Sequence, residues 1–144
     1  MEWLGFRAGF VVSKFLTPLW LEHVDGNVFI VCAPFRYESD LLRGILIVPT
    51  GTMTDLASIP RVFRGLLPKS GRYNPAATLH DAGLTGCLRT ITDQRINLIK
   101  KYADLVFLEA MEVAGVGRLQ RQLMYRLVKR FGKTSDPSGQ SRAV

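Results

Sequence analysis

The chain has 144 residues, of which 47% are hydrophobic and 22% charged, enough apolar material for one core of ordinary size. Independent domains usually need about 100–200 residues each, so a single globular domain over 1–133 is expected. The same figures exclude a disordered chain, and no repeat or heptad period points to a solenoid or coiled coil.

The amino-terminal part to about Val48 reads as strands and turns. An apolar stretch from Ala8 to Val12 is interrupted by Lys14, far short of the roughly 20 residues that span a bilayer, which predicts a soluble chain without a signal peptide. Trp3 and Trp20 read as packing groups and His23 as a surface residue. Asp25-Gly26-Asn27 predicts a hairpin turn, because Gly and Asn tolerate the positive φ that tight turns need. Val28–Val31 is β-branched and of strand type, Phe35–Glu38 alternates apolar with polar, and Gly44–Val48 is a buried-strand pattern closed by Pro49.

Beyond Thr54 the pattern becomes helical. Asn74-Pro75 predicts a helix start, with Asn capping and Pro at the first helical position. That helix carries Ala76, Ala77, Leu79, His80 and Asp81, and weakens at Gly83 and Gly86. Thr92 or Asp93 is expected to cap a long helix running to Ala114, with Ile96, Ile99, Ala103, Phe107, Met111 and Ala114 as its buried stripe. A last helix, about Leu119 to Phe131, shows Leu119, Leu123, Leu127 and Phe131 at four-residue spacing. Residues 134–144 read as a disordered tail. The expected fold class is therefore α+β: a small antiparallel sheet followed by about three helices, the His-Asp and Ala-Asp helices packed antiparallel.

The net charge of +7 is concentrated in the last helix. Arg118, Arg121, Arg126, Lys129, Arg130 and Lys133 follow one another without an intervening acid, so the body of the chain is close to neutral. Such a face suits a partner protein, nucleic acid or an anionic membrane surface, and equally a plain solvated helix face. Cys32 and Cys87 are too few for a disulfide scaffold or a closed zinc cluster and fit a reducing compartment.

Two places carry polar groups that chemistry can use. In the first, Thr54, Asp55 and Ser58 either build a turn ended by Pro60 or present oxygens to a metal or substrate. In the second, His80 and Asp81 interrupt an apolar helix, and adjacent helical residues point about 100° apart, so each must serve a different neighbour. Asp104 is a third intruder, flanked by Ala103, Leu105, Val106 and Phe107, and a carboxylate there needs a partner. His80 is the natural one. The pair can act as a general base held in the right tautomer by a carboxylate. Asp81, with Asp55, is then the ligand set for a divalent cation, calcium or zinc. A structural His-Asp bond tying two helices together gives the same pattern. No phosphate-binding loop, dinucleotide fingerprint or zinc-protease helix is present.

The string Ile47-Val-Pro-Thr-Gly-Thr-Met-Thr54-Asp55-Leu-Ala-Ser58-Ile-Pro-Arg61 resembles the signature of a family of small phage and prophage proteins of unassigned function. Leu67-Pro68, Gly71-Arg72-Tyr73, Ala76-Ala77 before His80-Asp81, Ala103-Asp104 with Phe107 and Met111, and Tyr125 extend the resemblance over roughly 26–132. It implies a phage or prophage origin, synthesis in the host cytoplasm with carriage in a virion as a further route, and virion proteins or the host envelope as partners. The order Ala-Ala-x-x-His80-Asp81, loop, Ala103-Asp104-x-x-Phe107 also resembles the paired-helix core of phospholipases A2. That resemblance implies His80 as base, Asp81 as calcium ligand and Asp104 as the residue orienting His80. Leu84 stands where those enzymes carry a tyrosine. The two functional expectations are a virion- or lysis-associated hydrolase acting on host envelope material, and a non-enzymatic virion or assembly protein whose basic helix docks to a partner.

Overall fold

A computed structural model of the protein describes residues 12–26, 28–56, 63, 65 and 71–132. Ser58 and Arg61 of the signature turn, Trp3, Asn27 of the hairpin turn and the tail from residue 134 lie outside the described residues.

The elements in chain order are β1 (Lys14–Phe15), β2 (Leu21–Asp25), β3 (Val28–Val31), β4 (Phe35–Ser39), β5 (Gly44–Val48), β6 (Met53–Thr54), α1 (Asn74–Leu84), β7 (Leu88–Arg89), β8 (Arg95–Ile96), α2 (Lys100–Val113) and α3 (Arg118–Phe131). The fold is α+β, as the sequence predicts. Its strands form two antiparallel sheets, a five-stranded one in the order β1-β4-β5-β7-β8 and a three-stranded one in the order β2-β3-β6.

The β4–β5 hairpin is the centre of the larger sheet, paired from Phe35 opposite Val48 to Ser39 opposite Gly44. Its alternation works as strand geometry requires: Phe35, Tyr37 and Ser39 point inward while Arg36 is exposed. Phe35, Tyr37, Leu46 and Val48 meet Leu79, Phe107 and Met111 of the first two helices in a single core. The smaller sheet carries an irregularity between His23 and Asp25, with Gly26 at φ +53°, and His23 is exposed. Trp20 is exposed too, so it is not the packing group expected of it.

Two helix boundaries differ from the sequence expectation. The cap of α1 is Tyr73, with Asn74 and Pro75 already inside the first turn and no side-chain cap bond. Thr92 and Asp93 do not cap a helix; they sit in the turn of a β7–β8 hairpin, with Asp93 at φ +66°. Thr90 Oγ1 accepts from the Thr92 and Gln94 amides there, the local bonding by which threonine competes with helix. Pairing of Arg89 with Ile47 then adds the hairpin to the large sheet. Ile96 is consequently a strand residue, Ile99 caps α2, and that helix starts at Lys100.

Helices α1 and α2 run antiparallel, since the ends of one meet the beginnings of the other. The Leu98 amide, just before α2, donates to Gly83 O at the end of α1 (2.8 Å). Arg72 Nη1, just before α1, donates to Gly115 O beyond the end of α2 (3.3 Å). Gly83 is required by this approach: a Cβ on it would lie 2.8 Å from Leu98 Cδ1. Helix α3 buries Met124, Leu127 and Val128, leaving Leu119 87% and Phe131 49% exposed. The expected stripe holds at Leu127, with Leu123 half-buried, and fails at its ends because a four-residue repeat drifts by about 40° per step on a helix of 3.6 residues per turn.

Candidate functional site

The site forms where α1, α2 and β6 converge. On α1, His80 faces α2 and Asp81 faces β6, the divergence that adjacency on a helix dictates. His80 Nε2 lies 2.7 Å from Asp104 Oδ1. Lys100, one turn before Asp104, places Nζ 3.1 Å from Asp104 Oδ2 and also donates to Val128 O of α3 at 2.9 Å. Asp81 Oδ2 accepts from Thr54 Oγ1 at 2.5 Å and from the Asp55 amide at 3.1 Å. The Leu56 amide donates to Thr54 Oγ1 in turn, so the end of β6 is held against α1. Phe107 packs beside the imidazole, with ring centroids 5.4 Å apart.

The centre is closed to solvent. His80 is 0% exposed and Asp81 and Asp104 are 2% exposed. An ionised carboxylate accepts hydrogen bonds only, so the proton between His80 and Asp104 belongs to Nε2. That leaves Nδ1, which makes no hydrogen bond to any described residue. Asp81 Oδ1 is 3.7 Å from it, a distance for charge attraction and too long for a hydrogen bond. Burial pushes the His80 pKa down, yet the bond to Asp104 and the adjacent Asp81 carboxylate outweigh it, and the net result is a raised pKa. Two carboxylates and two bases, His80 and Lys100, thus share one buried cluster, the pairing that makes buried charge tolerable.

Of the residues singled out in the sequence, His80, Asp81, Asp104, Thr54 and Asp55 come together. Asp55 joins through its backbone amide, as a donor to Asp81. Among the described residues no group of three or more His, Cys, Asp or Glu is placed to hold a metal ion. Lys100 was missed, although its four-residue spacing to Asp104 is the usual signal of a helical ion pair. Of the basic residues of α3, Lys129 lines a cleft with Lys100 and Asp104, and the others do not line it. Arg121 turns to Glu112 (3.8 Å) and Val116 O (3.1 Å), and Arg118, Arg126, Lys129 and Arg130 are exposed.

Residues 29–128 match the model of a family described as a protein of unknown function, DUF1353, and the chain belongs to that family. No curated protein and no solved structure matches it. Among the described residues no helix is long and apolar enough to cross a membrane.

Proposed function

We propose that the protein is a small phage-type hydrolase, virion- or lysis-associated, that acts on host envelope material with His80 as general base. The observation that carries this reading is the asymmetry of one imidazole: Nε2 is held by Asp104, while Nδ1 is buried and makes no hydrogen bond. In the neutral ring a buried nitrogen left unbonded costs about 1–3 kcal/mol, a cost that falls once Nδ1 takes a proton beside Asp81 Oδ1 at 3.7 Å. A general base needs such a lone pair to take a proton from water. Asp104 then stabilises the imidazolium, and Lys100 fixes the second oxygen of Asp104. With the imidazole fully enclosed, substrate reaches Nδ1 only after the packing around Asp81 parts, so turnover includes an opening step.

A divalent cation on Asp81 belongs to this reading as a test and not as a step. Thr54 Oγ1 and the Asp55 amide aim hydrogens at Asp81 Oδ2, an arrangement that serves the carboxylate itself.

The burial of all three side chains favours a second reading. In it the cluster is a polar tie joining β6, α1, α2 and α3, and the protein is a virion structural or assembly component docking through α3 to a partner, DNA or membrane. Purified protein assayed on lipid-ester and peptidoglycan substrates, with and without calcium or zinc, separates the two. For the hydrolase, His80→Gln lowers turnover by about 10²–10⁴-fold. Wild-type protein inert on every envelope substrate, with His80→Gln lowering only the melting temperature, refutes catalysis and leaves the tie.

A further inference from the structure

A cleft of about 480 Å³ opens between α2 and α3, lined by Lys100, Lys101, Asp104, Leu105, Tyr125 and Lys129. His80 is not among its walls. Its size falls in the range of about 300–1,000 Å³ typical of small-molecule sites. Three ammonium groups face a single carboxylate, and that carboxylate is already engaged by His80 and Lys100. An entering ligand therefore meets net positive charge.

The cations are partly pre-placed. Lys100 Nζ is held by Asp104 and by Val128 O, and Lys129 Nζ sits 5.9 Å from the centre of the Tyr125 ring. The first turn of α2 has no acidic residue. Lysines stand there instead, against the helix dipole, and an anion would relieve that repulsion. Leu105, the Tyr125 ring and the lysine methylenes make the remaining wall apolar.

We infer that this cleft binds the phosphate group of a small amphiphile. Lys100, Lys101 and Lys129 take the phosphate, and Leu105 with Tyr125 takes a short apolar part. Phosphate chemistry alone is met by free phosphate or by a lipid headgroup; the apolar wall selects the lipid. The cleft shares Asp104 and Lys100 with the His80 cluster, but Lys101 and Lys129 make no bond to that cluster, so their variants report on binding apart from hydrolysis.

The test is a titration of the full-length protein, followed by amide chemical shifts of Leu105 and Tyr125, with inorganic phosphate, dihexanoyl phosphatidic acid below its micelle concentration, and dihexanoyl phosphatidylcholine. Saturable binding is expected for phosphatidic acid, about tenfold or more tighter than for inorganic phosphate, since a few buried methylenes supply that factor. Lys101→Glu and Lys129→Glu, both surface changes, should each weaken it by about tenfold. Lys14→Glu alters net charge equally at an exposed β1 position that does not line the cleft and should change it by less than about twofold, because exposed charges outside the site are screened. Equal affinity for inorganic phosphate and phosphatidic acid overturns the lipid assignment. Absence of saturation, or equal weakening by Lys14→Glu and Lys129→Glu, overturns the site.

Discussion

Helix α2 carries one carboxylate into the interior, Asp104, and holds a second, Glu109, half-buried, and they are handled in opposite ways. Glu109 faces the large sheet: its Oε1 accepts from Tyr37 Oη (2.7 Å) and Ser39 Oγ (2.8 Å), and its Oε2 accepts from the Leu41 amide (2.8 Å). Every donor there is neutral. Burial and the neighbouring Glu109 raise the Tyr37 pKa far above its usual value, so the phenol keeps its proton at any working pH. Asp104 faces α1 and is met by two bases, one of which, His80, titrates near neutrality in the unfolded chain. Both carboxylates fasten α2 to a neighbour, but only the Asp104 cluster contains a proton that can move. The contrast places chemical capacity at the helix pair and plain anchorage at the sheet.

The strongest way to break this comparison is to remove each carboxylate. Asp104→Ala removes the carboxylate that His80 Nε2 and Lys100 Nζ share and should cost about 3–5 kcal/mol in urea unfolding. Glu109→Ala leaves only neutral donors unsatisfied and should cost about 1–3 kcal/mol. Equal losses would show that the two clusters are energetically alike.

Next in size is Gly83→Ala. Its new methyl meets Leu98 Cδ1 at 2.8 Å, so the Leu98 side chain must shift where the end of α1 meets the start of α2. A loss of about 1–3 kcal/mol is expected. The His80 ring signals should shift while those of Tyr37 stay in place, and disturbance of Tyr37 instead would deny that Gly83 sets the α1–α2 spacing.

The smallest effect is on pH dependence. The folded-state pKa of His80 lies above its unfolded value of 6.5, so its contribution is fully present below that value and is lost as pH rises through the folded pKa. The stability difference between wild type and His80→Gln should therefore shrink as pH rises above 6.5. A flat difference for His80→Gln would mean that the imidazole keeps one charge state throughout. If His80 is the base, hydrolysis rises over the same interval in which this stabilisation fades.

Much of this molecule is local in origin, and that part is readable without coordinates. Alternation in Phe35–Glu38 and the apolar run Gly44–Val48 mark two strands because strand side chains alternate by two. His80 and Asp104 announce each other because each is a polar group in an apolar stretch that burial would penalise unless they met. The remainder depends on contacts between distant segments. Thr92 and Asp93 carry capping chemistry suited to a helix, yet pairing of Arg89 with Ile47 recruits them into a hairpin turn. The buried face of α3 is chosen by where α2 lies, and the anchoring of Glu109 by Tyr37 and Ser39 joins residues about 70 positions apart. Sequence by itself determined the α+β class and pointed to His80 as the partner of Asp104, since propensity and burial cost act residue by residue. Only the tertiary structure decided that the pair is sealed, that Lys100 completes it and that Asp55 serves it through its backbone. Those outcomes depend on which surfaces exclude water from one another.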